Sequence, residues 1–212
     1  MNDSASFPIR RRGRPAKRVA DRFETREALI RCGVAVLTEK GFAATGIDEI
    51  LKQLGVPKGS FYHYFASKEA FGQAVIAAYA DYFARKLERC LTDDSRLPLQ
   101  RLANFIDEAC AGMARYQFRR GCLIGNLGQE MAVLPEAFRE QLEAVFQDWQ
   151  RRVADCLQQA QQHSQLSETV DCQQWAAFFW MGWEGAVLRA KLVANEAPLR
   201  QFAQVFFAAL SQ

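Results

Sequence analysis

Several features are missing from these 212 residues, and each absence removes a class of function. No apolar run approaches the ~20 residues that a helix needs to cross a bilayer. Residues 1–22 are polar and Arg-rich and lack the apolar centre of a secretion signal. The expectation is therefore a soluble cytoplasmic protein with no membrane partner. The six cysteines (Cys32, Cys90, Cys110, Cys122, Cys156, Cys172) form no Cys-x-x-Cys pair and have no histidine at ligand spacing. That argues against zinc, and neither a metal nor a cofactor is expected. No Ser-His-Asp order and no phosphate-binding loop appear, so the chain does not read as an enzyme. Cys122 paired with His63 or His163 is the one nucleophile and base the residues allow. His163, however, sits in a Gln/Ser-rich loop, and His63 belongs to a segment with another use. Strand-like alternation, internal repeats and a further boundary inside residues 90–212 are also absent.

What is present is apolar and helical in pattern. Half of the residues are hydrophobic and 12% are aromatic, enough for a sizeable core. The net charge of +3 says little, but its distribution says more. Residues 1–68 carry 13 Lys/Arg against 7 Asp/Glu, and residues 69–212 carry 14 against 17. Only the front half suits a polyanion. Residues 1–20 read as a flexible basic arm, residues 21–83 as an N-terminal three-helix helix-turn-helix domain, and residues 84–212 as a C-terminal helical ligand-binding and dimerisation domain. The whole is all-α. A first helix ends at Gly41, and Thr45 with Asp48 forms a capping box for a second helix that stops at Gly55. A third helix covers 58–65, and Ser67 caps a fourth that runs to about Cys90. Further helices are expected over 98–117, 122–132, 135–162, 171–193 and 196–210.

Two short helices joined by a Gly-containing turn make a helix-turn-helix over residues 45–65. Its second helix sets Lys58 and Ser60 at the start, then Tyr62, His63 and Tyr64 in a row, with Lys68 beyond. Donors near the start of such a helix reach base edges, and hydroxyls and ammonium groups hold phosphates. Gly59 allows close backbone approach, while Phe61 and Phe65 suit the core. Gly41-Phe42, Thr45, Ile50, Gly55 and the run from Val56 to Glu69 resemble the N-terminal domain of the TetR family of repressors. The resemblance implies a homodimer on a near-palindromic double-stranded DNA operator. It implies DNA contacts from Thr45, Lys58, Gly59, Tyr62, His63 and Lys68. In the arm, Arg11, Arg12 and Arg14 resemble a minor-groove hook. A solubilising tail is the plain alternative.

The rear half carries two unusual stretches. In residues 118–130, Cys122 follows Arg119, Arg120 and Gly121 at an expected helix start. Both features would favour a thiolate. Gly125, Asn126, Gly128 and Gln129 are poor core choices there. In residues 175–191 a nearly all-round apolar helix holds Trp180, Trp183 and one acid, Glu184, which suits burial between a core and a dimer partner. Arg120-Gly-Cys-Leu…Glu130 and Gly-Trp-Glu-Gly-Ala…Arg-Ala-Lys191 are similar to electrophile-sensing members of the TetR family, most of all to acrylate-responsive repressors. That resemblance implies joint redox sensing by Cys122 and Lys191, and a small α,β-unsaturated acid or its thioester as inducer. The candidate sensing set is Cys122, Lys191, Arg120, Asn126, Trp183 and Glu184, with Arg119 or Arg120 for the anion. Covalent and reversible capture both stay open. A thiol redox sensor without a dedicated ligand and an architectural DNA binder without an inducer are the alternatives. The helix over 68–90 is expected to act as a lever between the domains.

Overall fold

Glycines and caps divide the chain into helices. The structure, a computed structural model, describes residues 19–210, and every regular element among them is helical. Helix α1 (Val19–Lys40) ends at Gly41, whose φ of 84° is a left-handed value that favours glycine. Helix α2 (Ile47–Gln53) is followed by Gly55 at φ 62° and by a short 3₁₀ helix, Lys58–His63. Helix α3 (Lys68–Leu91) starts where the Ser67 hydroxyl accepts the Ala70 N–H. The remaining helices are α4 (Pro98–Arg115), α5 (Leu123–Gln129), α6 (Ala137–Gln162), α7 (Cys172–Val193) and α8 (Ala197–Leu210).

Two local expectations are corrected. The N-cap of α2 is Gly46, with no side-chain cap bond. The Thr45 hydroxyl instead donates backward to the Gly41 carbonyl at 2.6 Å, so Thr45 closes the preceding turn and makes no capping box. The third element is a 3₁₀ helix over six residues in place of an α-helix over 58–65, with the ring of Phe61 buried beneath it.

One continuous core runs through both halves. Phe61, Phe65 and Phe71 pack edge to face under the 3₁₀ helix. Farther along α3, Phe83 meets Trp149 of α6 at 4.4 Å between ring centroids, and Trp149 meets Trp180 of α7 at 4.9 Å. The α3–α4 corner is tied by buried Arg101, which donates to the carbonyls of Arg96 and Leu91 and to Gln159. Partners of this kind are what make a buried guanidinium tolerable.

Between the two aromatic groups, Gly72 of α3 is where three elements converge. A Cβ there would lie 2.5 Å from the ring of Phe138 and 2.6 Å from that of Phe42. Two buried rings would have to shift, and overpacking of that kind costs about 1–3 kcal/mol. Gly72→Ala is therefore expected to lower the urea midpoint at fixed protein concentration. An unchanged midpoint would show that the junction is looser than its geometry.

Candidate DNA-binding surface and sensing cavity

The 3₁₀ helix sorts its side chains by chemistry. Phe61 is 1% exposed whereas Tyr62 next to it is 69% exposed, so the apolar ring anchors the element and the phenol faces out. Lys58 and His63 are exposed, Ser60 and Tyr64 half-buried, and Gly59 has open space where a Cβ would stand. Lys58 pairs with Asp48 at 2.6 Å, an exposed contact that water screens. Two expected DNA contacts have other partners. Thr45 is buried with its hydroxyl on Gly41. Lys68 donates to the Phe42 carbonyl at 2.9 Å and lies over the Phe42 ring, so its ammonium fastens α3 to the end of α1. Burial moves the Lys68 pKa down. Arg11, Arg12 and Arg14 lie outside the described residues.

A cavity of about 640 Å³ opens between the two halves of the molecule. One wall is α1 itself, through Ile30, Arg31, Val34 and Thr38; opposite stand Trp183, Glu184 and Val187 of α7. Cys122, the N-cap of α5, closes one end beside Tyr79, with Arg120 and Gly121 adjoining. Trp183 is 3% exposed and its ring stacks on that of Phe179. Four of the six candidate sensing residues therefore line a single space. The other two form a second contact behind it, where Lys191 donates to the Asn126 amide oxygen at 3.2 Å.

The resting thiol differs from the sequence expectation. Burial first, and then the facing Glu184 carboxylate, push the Cys122 thiol well above the usual range. Cys122 at rest is a protonated thiol. The arginines do not reach it. Gln117 and Phe118 take left-handed backbone angles that turn the chain after α4. Arg119 bonds Gln117, and Arg120 pairs with Glu39 at 3.5 Å while stacking on Tyr116. Glu184 is itself perturbed, with burial raising its pKa from 4.5 to about 7. Its Oε1 atom has no hydrogen-bond partner among the described residues. Gly125 permits this approach, because a Cβ there would collide with the Glu184 carboxylate.

Helix α5 connects this site to the DNA-binding part. At its far end, Glu130 accepts the backbone N–H groups of Phe42 and Ala43 at 3.2 and 2.8 Å. Gly41 leaves room for that carboxylate, which a Cβ would strike. Midway, the Asn126 amide donates to the Thr38 carbonyl at 2.7 Å. Sequence reasoning assigned no role to Glu130, Tyr79 or Lys86, although Glu130 falls within the stretch that carried the second resemblance.

The Glu184 shift has a stability consequence. Its folded pKa exceeds the unfolded one, so between pH 4.5 and about 7 the unfolded chain has lost a proton that the folded chain retains. Stability from this group is present below that window and lost as pH rises through it, by on the order of 1 kcal/mol per pH unit. Glu184→Gln is expected to flatten that limb of a urea-midpoint profile. A limb identical in both proteins would place the titration elsewhere.

Comparison with known proteins agrees with this geometry. Residues 22–75 match the family described as bacterial regulatory proteins, tetR family, and residues 98–206 match the tetracyclin repressor-like C-terminal domain. The transcriptional regulator AcuR of Cereibacter sphaeroides is 52% identical over 196 residues, covering 92% of this chain and 89% of that protein. The HTH-type transcriptional repressor NemR of Escherichia coli K12 is 29% identical over 176 residues, covering 83% and 88%. A crystal structure of a TetR regulatory protein from Rhodobacter sphaeroides superposes with a TM-score of 0.84 at 52% identity, covering 86% of this chain and 96% of that one. The reduced form of E. coli NemR superposes with a TM-score of 0.77 at 28% identity, covering 86% and 95%. These relatives are transcriptional regulators, not enzymes, and the chain belongs to the TetR family of DNA-binding regulators.

Proposed function

We propose that this regulator is a ligand-responsive repressor that binds a near-palindromic operator as a homodimer and is released by a small α,β-unsaturated acid, such as acrylate, or its thioester. The observation that carries the proposal is the cavity: it is walled on one side by α1 of the DNA-binding part and closed at one end by a thiol and a carboxyl. The inducer class rests on the likeness of the Gly-Cys-Leu and Ala-Lys segments to acrylate-responsive repressors. An alkene beside Cys122 and a carbonyl near the unpaired Glu184 oxygen suit those groups. The dimer contact is assigned to the exposed apolar face of α7 and α8, with Phe178, Met181, Leu188, Leu192 and Val205. No helix among the described residues is long and apolar enough to cross a membrane, which fits action in the cytoplasm.

Lys58, Gly59, Ser60, Tyr62, His63 and Tyr64 are assigned to the operator major groove, with the arm carrying Arg11, Arg12 and Arg14 as an additional grip. Lys68 and Thr45 shape the turn that presents them. A second reading, thiol sensing without a dedicated ligand, is favoured by one observation: Gly121, next to Cys122, packs against the Lys191 side chain. A charge gained at Cys122 on oxidation then acts on the Lys191–Asn126–Thr38 connection to α1.

Two measurements test these assignments. Lys58→Ala is expected to weaken operator binding and to lower the salt slope by about 1, and Tyr62→Ala to weaken it without altering that slope. Wild-type affinity and slope in both variants would remove the 3₁₀ helix from the interface. Gel shifts with acrylate, its thioester, hypochlorite and a maleimide test the inducer. Release by acrylate or its thioester that persists in Cys122→Ser marks reversible binding. Release by hypochlorite alone, lost in that variant, marks the redox reading. An operator complex indifferent to all four overturns both.

A further inference from the structure

The cavity has opposite chemistry at its two ends. The closed end holds Cys122, Tyr79 and Glu184, with no cation lining it beyond Arg120, which Glu39 already engages. The open end is cationic. Lys86 is partly buried, lies over the rings of Phe83 and Phe105, and has no ion-pair partner among the described residues. Glu108, the acid that acts on it, is held by Arg89 at 2.5 Å. Arg85, beside Lys86, and Arg115, on α4, are likewise without a carboxylate partner there. These groups continue from the cavity into a second groove of about 600 Å³, which shares Tyr82, Arg85, Lys86 and Gly112 with it. The groove adds Arg89 and Arg115, so four cations face one acid.

A partly desolvated ammonium without a counter-ion is costly, and an anionic ligand offsets that cost. The distance matters as much as the charge. Tyr79 and Lys86 are seven residues apart on α3, roughly 10 Å at 1.5 Å per residue, and Arg89 lies roughly 15 Å along. A three-carbon acid with its alkene at Cys122 leaves Arg85 and Arg115 of the groove without a partner. Placed wholly at the closed end, its carboxylate meets the Glu184 carboxyl, and the nearest cation, Lys191, is already bonded to the Asn126 amide.

We infer that the Lys86, Arg85, Arg89 and Arg115 groove binds the phosphates of a carrier, so that the inducer is the carrier-borne acyl thioester and its free acid is a weak surrogate. The inference rests on the unsaturated-acyl reading above and chooses between its two forms. The neutral acyl end enters the cavity, and its carbonyl oxygen accepts a hydrogen bond from the protonated Glu184 carboxyl or the Tyr79 hydroxyl. The carrier arm passes between α3 and α4, over Gly112, where no side chain obstructs it. Recognition is non-covalent, and the phosphates supply its electrostatic part.

The test uses full-length protein on operator DNA with three probes: acryloyl-coenzyme A, acrylate, and the acryloyl thioester of N-acetylcysteamine, which has the same head and no phosphate. Acryloyl-coenzyme A is expected to release the operator at the lowest concentration. Arg115→Ser, a change on an exposed side chain, should raise the concentration required roughly tenfold. The phosphate-free thioester should keep its wild-type potency in that variant. Equal potency of the two thioesters, or equal shifts for both in Arg115→Ser, overturns the inference. Calorimetric titration with propionyl-coenzyme A separates the two levels. Arg115-dependent binding without release by any acryloyl compound retains the groove and rejects the inducer reading. Failure to bind rejects the groove even where acrylate itself releases DNA.

Discussion

The Glu130 carboxylate gripping the backbone N–H groups of Phe42 and Ala43 is the contact on which the arrangement of the two halves depends. Bonds of this kind to a charged acceptor contribute about 1.5–3 kcal/mol each. Helix α5 is only seven residues long, far too short to hold itself together in water. It is held by its buried Leu123, Ile124 and Leu127, by the Asn126 bond to Thr38 and by Glu130 against the α1–α2 turn. An element fixed that way transmits displacement. Whatever moves Cys122 moves Asn126 and Glu130, and with them Thr38 and the turn that positions the 3₁₀ helix.

The cavity is costly when unoccupied. Glu184 is kept in a place that raises its pKa to about 7, with one oxygen unbonded, and Lys86 is kept partly buried without a counter-ion. Both are penalties of the ligand-free fold, and a molecule with an acceptor at one end and negative charge at the other removes both. Ligand affinity then comes partly from relieving strain already present. Only the part of that relief not shared by the DNA-bound form shifts the equilibrium, and coupling of about 1–3 kcal/mol is sufficient for a switch.

The helix plan was largely legible in the sequence because its punctuation is local. Gly41, Gly55, Ser67, Pro98 and Asp171 each act on their own turn, and the expected helices fall close to the observed ones. The departures share another origin. Thr45 and Lys68 are expected DNA contacts by residue type and position in the motif, and both also bond carbonyls of residues 41 and 42. The expected Cys122 thiolate failed for a conformational reason. Arg119 and Arg120 are close in sequence, yet their guanidinium groups are engaged by Gln117, Glu39 and Tyr116, while Glu184, 62 residues away in the chain, is the charge that faces the sulfur. The role of Glu130 was not foreseen for the same reason: its partners are 87 and 88 residues distant. Periodicity and spacing report neighbours, and this site is built from long-range contacts.

The helix expected over 68–90 to link the two domains is observed unbroken as α3, from Lys68 to Leu91. A lever must carry motion from a remote site along its length. Here α3 contributes Lys68 to the α1–α2 turn, Tyr79 to the closed end of the cavity and Lys86 to its open end. Helix α1 lines the same cavity directly. On the proposed ligand-responsive reading, a ligand that fills it touches the DNA-binding part directly at α1, in addition to the contacts of α5. The cation–π and carbonyl contacts of Lys68 keep α3 and the turn together while this happens. On that reading α1, α2 and the start of α3 respond as one unit, which the sensing part meets at two places: the cavity wall and the Glu130 grip.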